Sequence, residues 1–258
     1  MKHIIISATL ALASVCADAQ PLAQEADSAY NKEDYRLAAE LYTRSLAEDG
    51  GASDVYYNLG NTYFRLDKPG LAILNYERAL QADPTNEDAR ANLDFVNSRI
   101  QDRPEDDSAF FSNLHHTLMG KLRPNAWAWI AFTVFLVLLG AVALYIFANS
   151  IVLRKTGFFG GIVLVFVFLY SLTLARGSAS AAESHDHAIV TVPTTHLSSA
   201  PRSTRGTTEK VVPIHEGTKV EIIDSVATPD DPGSAKWYNV KINNTSKAWL
   251  RAADVERI

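Results

Sequence analysis

His185-Asp186-His187 and His115-His116 are the histidine clusters of this chain, and any metal or proton-transfer chemistry would have to start from them. A His-x-His pair alone holds a metal weakly, because a structural or catalytic site needs three or four ligands. His185 and His187 lie in a Ser/Ala-rich stretch, which reads better as a solvated linker than as a metal site. There is no nucleotide loop, no HExxH, and no nucleophile with an evident base partner. Cys16 is the only cysteine. These residue types assign no catalytic residue, no metal and no cofactor, and the chain reads as a protein that binds rather than transforms.

Residues suited to gripping a partner are better represented. Residues 53–86 read "SDVYYNLGNTYFRLDKPGLAILNYERALQADPTN". Tyr56, Leu59, Gly60, Tyr63, Ala72, Tyr76, Ala79 and Pro84 fall at the spacing of a tetratricopeptide (TPR) repeat. Gly60 and Ala72 are small where the two helices of a repeat cross. The aromatics fill the gaps, and Pro84 stops the second helix. Ala26, Ala38 and Tyr42 lie 34 residues before Gly60, Ala72 and Tyr76, so a second repeat precedes this one in phase. Asn92-Leu93 repeats Asn58-Leu59 at the same offset with no further helix after it, which fits a polar capping helix.

In such a stack the first helices line a groove. Tyr57, Asn58, Asn61, Phe64, Asn92 and Phe95 are expected to face or border it. Asparagine amides can clamp a peptide backbone, and the aromatics offer apolar pockets or simply pack. Ala23, Asp27 and Asp88 stand where basic residues would capture a free C-terminal carboxylate, so an internal peptide or a folded surface fits better.

Two other segments fix where this groove works. Residues 124–153 and 156–175 contain no Asp, Glu, Lys or Arg. Each run is long enough for a helix to cross a hydrocarbon core of about 30 Å. Before them, Lys2, the apolar run Ile4 to Val15 and Ala17-Asp18-Ala19 form a secretory signal peptide. A lipoprotein signal through Cys16 fits poorly, since Val15 is branched. Cleavage after Ala19 would leave no cysteine. The signal places the chain after it outside the cytoplasm, and two spans return it there. Arg154 and Lys155 in the turn "NSIVLRKT" agree with a cytoplasmic turn, and Trp127 and Trp129 lie where an aromatic belt would sit. Phe111, Leu114, Leu118 and Leu122 recur at helical spacing, as an interfacial helix or one packed on the first domain.

From Ala188 the chain changes to short runs, "AIVTV", "EKVVPI", "TKVEIIDSV", "KWYNVKI" and "KAWLRA", with turns at Glu216-Gly217 and Asn243-Asn244 and a longer loop containing Pro229, Pro232 and Gly233. This predicts a small all-β barrel. Ser199-Ala200-Pro201, Glu216-Gly217-Thr218, Trp237-Tyr238, Ala248-Trp249-Leu250 and Asp254-Val255 follow an order that resembles a bacterial SH3-like domain, with Ala248 in place of the usual glycine and a long loop from Thr228 to Lys236. Trp237 and Trp249 are its candidate ligand surfaces, with core packing the alternative role.

The expected organisation is a signal peptide (1–19), a TPR domain with capping helix (20–101), a juxtamembrane linker or interfacial helix (102–126), a span (127–148), a cytoplasmic turn (149–156), a second span (157–176), a linker (177–187) and an SH3-like barrel (188–258). With "YYNLGNTYFRL", "AILNYERAL", "DARANLDF" and Asn125-Ala126-Trp127, this order resembles the BatE family of the Bat aerotolerance operons. The resemblance implies a protein of the bacterial inner membrane with both soluble domains periplasmic. It also implies membrane-anchored partners with von Willebrand factor A domains, and a role in oxygen tolerance or envelope stress. The functional expectation is an adaptor that binds partner proteins. The alternative is a sensor that binds peptidoglycan through the barrel.

Overall fold

The computed structural model describes residues 21–102, 110–183, 186–201, 212–227, 236–242 and 246–258. The expected signal peptide, Cys16, His185, the expected loop with Pro229, Pro232 and Gly233, and the expected turn at Asn243-Asn244 lie outside the described residues.

Five helices follow in order: α1 Pro21–Asn31, α2 Tyr35–Asp49, α3 Ser53–Arg65, α4 Pro69–Ala82 and α5 Glu87–Asn97. They pair as the repeat spacing predicts, with α1 on α2, α3 on α4, and α5 closing the stack. The turn inside each pair is the same. Glu33 (φ 63°) and Asp67 (φ 56°) adopt the left-handed conformation, and the next residue's N–H returns to a carbonyl five back, Asp34 to Ala29 and Lys68 to Tyr63, at 3.0 Å in both. The Asp34 carboxylate then accepts the Leu37 N–H at 3.2 Å, and the Asn86 amide oxygen accepts that of Ala89 at 2.9 Å. Each satisfies a donor that the first helical turn leaves open. Ala26, Ala38 and Ala72 are fully buried at the crossings. At Gly60 a Cβ would lie 2.6 Å from the Tyr76 ring, so only glycine lets α3 meet α4 there.

The C-terminal strands are β1 His187–Val190, β2 Thr194–Leu197, β3 Val212–His215, β4 Lys219–Ala227, β5 Lys236–Ile242, β6 Ser246–Arg251 and β7 Val255–Arg257. They form a five-stranded antiparallel sheet, β6-β5-β4-β1-β7, and a separate pair, β2-β3. This corrects the expected barrel, because the sheet does not close. Among the described residues β7, three residues long, pairs with β1 alone, and β6 reaches the smaller pair through a single bridge, Ser198 to Trp249. Ala188, Val190, Val220, Tyr238, Val240 and Leu250 make the core of this region.

Three more helices, α6 Phe110–Met119, α7 Pro124–Phe147 and α8 Ile151–Glu183, lie in a second unit that also takes in Asp83–Thr85. α7 and α8 are long and apolar enough to cross a membrane. Only 6% and 17% of their apolar windows are buried, unlike the core helices of a water-soluble fold. The turn between them is shorter than the sequence suggests, residues 148–150, because nothing in Ile151 to Thr156 breaks a helix. Arg154 therefore sits in the first turn of α8, and its Nε donates to the Tyr145 carbonyl at 3.2 Å near the end of α7. Gly157 allows the close approach, since a Cβ there would lie 2.7 Å from the Ala141 carbonyl oxygen. α8 also runs past the expected end of the span to Glu183. α6 packs on it, with Met119 against Gly177 and the His115 ring 5.9 Å from that of Tyr170.

The helical repeats and the sheet are not separate modules. Described residues of 21–82, 86–102 and 186–258 form one compact unit. Ile189 of β1 is fully buried in the cluster that contains Ile73, Leu93, Val96 and Ile100 of the helices. Gly217, at φ 91°, lets its turn pass over Ile73 and Ile100; a Cβ would lie 2.9 Å from both. Glu216 Oε1 accepts the Gly70 N–H at 3.0 Å, so the β3–β4 turn caps the first turn of α4. Around this centre Lys219 meets Glu77 at 2.8 Å, and Arg78 meets Glu256 and the Arg257 carbonyl at 3.0 and 2.6 Å. Asp102 accepts the His215 backbone N–H at 2.6 Å and the Thr218 hydroxyl at 3.0 Å, with the His215 ring at 3.1 Å.

These contacts make the unit acid-sensitive. Burial pushes the Asp102 carboxyl up, but hydrogen bonds from the His215 N–H, the His215 ring and Thr218 outweigh it and hold it below the usual range. Burial, helped by the Lys219 charge, lowers the His187 imidazole. In both cases the unfolded chain binds the proton more tightly than the folded one. Stability is therefore complete above the unfolded values and is lost as pH falls, below about 6.5 for His187 and below about 4 for Asp102. Melting temperature should drop between about pH 7 and 5, and His187→Gln should remove that step. Asp102→Asn should shrink the separate loss at lower pH.

Candidate functional site

Each repeat carries the same hydrogen-bonded triad. In the second, Tyr76 Oη donates to Asn61 Oδ1 at 2.7 Å, and Asn92 Nδ2 donates to the same oxygen at 2.8 Å. In the first, Tyr42 Oη donates to Asp27 Oδ1 and Asn58 Nδ2 donates to it at 3.3 Å. Every member sits 34 residues from its counterpart. A tyrosine from the second helix and an asparagine from the next repeat thus share one acceptor on the first helix. The triad ties neighbouring repeats together and fixes the orientation of its amides. Burial raises both phenols well above their ordinary value, and in Tyr42 the bond to Asp27 adds to the effect, so both stay protonated donors.

Asp27, Tyr30, Asn31, Tyr42, Asn58 and Asn61 line a cavity of 320 Å³. Asn58 and Asn61 thus both brace the stack and face the cavity. Asn92 lies one repeat further on, bonded to Asn61 and 3.5 Å from the Tyr57 hydroxyl. Phe64 and Phe95 meet edge to face at 5.8 Å, and the Arg99 guanidinium lies 4.0 Å over the Phe95 ring, which remains 46% exposed. Phe64, Val96, Arg99, Ile100, Pro193 and His215 contribute to a second cavity, of 460 Å³, where helices and sheet meet.

The six residues expected at the groove therefore fall into two groups, Tyr57, Asn58, Asn61 and Asn92 around the triads and Phe64 with Phe95 beyond them. Of the aromatic candidates in the sheet region, Trp237 is only 3% exposed and lies inside, while Trp249 is half-buried. Among the described residues no group of three or more His, Cys, Asp or Glu is gathered for a metal. Asp27 is the residue whose place in the triad the sequence reading missed. Its signal was available, since Asp27 and Asn61 occupy equivalent positions.

Asn61→Ala removes the acceptor shared by Tyr76 and Asn92. Tyr76 is buried, so the loss should cost about 2 kcal/mol, read as a lower urea midpoint with an unchanged slope.

None of the curated proteins matches the chain. Residues 53–86 match the family described as tetratricopeptide repeat. They cover α3, α4 and the Asn86 cap of α5, so the segment that holds Asn58, Asn61 and Tyr76 is similar to a tetratricopeptide repeat.

Proposed function

We propose that this protein is a membrane-anchored adaptor whose helical groove holds a segment of a partner protein. The observation that carries the reading is the cavity that Asn58 and Asn61 of the tetratricopeptide-like segment line together with Asp27, Tyr30, Asn31 and Tyr42 of the preceding helix pair. Asn61, held by the Tyr76 hydroxyl, and Asn58, held by the Asp27 carboxylate, are pre-oriented, which lowers the ordering cost of gripping a peptide backbone.

The anchor is the α7–α8 hairpin, inserted in sequence between two parts that share the Ile189 core. Parts sharing a core must stand on one side of a membrane, so both helices cross it or neither does. With the signal-peptide reading of residues 1–19, that side is the periplasm of a bacterial inner membrane. The resemblance to the BatE family makes membrane proteins with von Willebrand factor A domains the partner class to test first. Peptidoglycan binding through the sheet region is left with Trp249 as its named aromatic, since Trp237 is buried.

A photo-crosslinking residue at Asn31, on the cavity wall, tests this in the native membrane. The expected result is an adduct with a membrane protein that is absent when the probe is at Glu40, exposed on α2. No protein adduct from position 31, or the same adducts from position 40, would overturn it.

A further inference from the structure

The two triads differ in one respect that folding does not require. In the second repeat the shared acceptor is a neutral amide, Asn61; in the first it is a carboxylate, Asp27. Both accept from a tyrosine and an asparagine. The charge at Asp27 is thus surplus to the brace. Oδ1 takes both hydrogen bonds, and among the described residues no cation lies within ion-pair distance of the carboxylate. Asp27 is exposed at the cavity wall, and the other lining residues, Tyr30, Asn31, Tyr42, Asn58 and Asn61, are neutral.

We infer that this cavity is a specificity pocket for a lysine or arginine side chain of the partner segment. The inference rests on the adaptor reading and deepens it. Such a side chain places its charge against the free Asp27 oxygen. Its alkyl stem covers the Tyr30 ring, and the ring face adds attraction for the cation. Asn31, Asn58 and Asn61 offer amide oxygens or N–H groups to the adjoining backbone. The second repeat, with Asn61 at the equivalent place, lacks the charge and does not select a cation. The pocket therefore sets the register of a bound segment, with its basic residue at the first repeat.

Asp27→Asn is a clean test, because the wild-type protein already uses asparagine for the same structural task. The full-length chain in lipid nanodiscs is panned with a phage-displayed library of random linear peptides, counter-selected on empty nanodiscs. Recovered peptides are then titrated against wild type and Asp27→Asn with matched melting temperatures. The expected result is enrichment of peptides with a fixed lysine or arginine, whose affinity falls about tenfold in Asp27→Asn and weakens with added salt. Asn61→Asp should restore part of the loss by creating a second acceptor carboxylate. Peptides that bind both proteins equally but compete with a label at position 31 would overturn the cation pocket and leave the adaptor reading standing. Recovery of no peptide that competes with that label would overturn both.

Discussion

Ile189→Asp should unfold the helical repeats together with the sheet. Ile189 is a strand residue, yet its side chain is fully buried in the helical core. Its removal from water contributes roughly 2–3 kcal/mol, and an unpaired carboxylate in its place adds a desolvation cost larger than that gain. A unit stabilised by about 5–15 kcal/mol loses much of its margin to such a change. Hydrogen exchange on the full-length protein in nanodiscs should show α4, α5 and β1 losing protection as one block. Ile189→Val should cost about 1 kcal/mol and leave that block intact. Helices that keep their protection while the sheet loses it would mean two independent modules.

Gly60→Val should cost about 3 kcal/mol, the upper end of ordinary overpacking. A Cβ at Gly60 would approach two carbons of the Tyr76 ring at 2.6 and 2.7 Å. That ring cannot swing away, because it is 1% exposed and its hydroxyl is tied to Asn61. Branching at Cβ adds a second carbon to the clash and lowers helix propensity. The first repeat carries Ala26 at the equivalent position, fully buried near Tyr42, so the restriction belongs to the second crossing and not to the repeat as such. Urea denaturation measures the effect, and a cost below about 1 kcal/mol would mean that the Tyr76 ring is free to move.

The repeats were legible because a helix crossing demands small residues and aromatics at fixed spacing, and Gly60, Ala72 and Tyr76 state that demand locally. The asparagines read as groove candidates and not as braces, because their partners, Asp27 for Asn58, Tyr76 for Asn61 and Asn61 for Asn92, lie on other helices. Glu216-Gly217 reads as a turn, and Gly217 does adopt a positive φ. Nothing local says that the same turn caps α4 and rides over Ile73 and Ile100. Ile189 looks like any strand isoleucine until its neighbours are known. The barrel was over-read because strand patterns reveal alternation but not closure, which depends on the lengths of β6 and β7 and what they pair with. The hairpin was over-trimmed because Arg154 and Lys155 look like a loop by charge, while a helix end tolerates them when Arg154 can reach the Tyr145 carbonyl.

The proposed topology holds repeats and sheet as one body on one side of a membrane that both α7 and α8 cross. Single cysteines at Asp54, Ser150 and Lys247, in a chain with Cys16 replaced by serine, test it directly with a membrane-impermeant maleimide on spheroplasts. Positions 54 and 247 should react together, and position 150 only after the membrane is opened. Reaction of 54 and 247 from opposite sides, or of 150 together with both, would contradict the account.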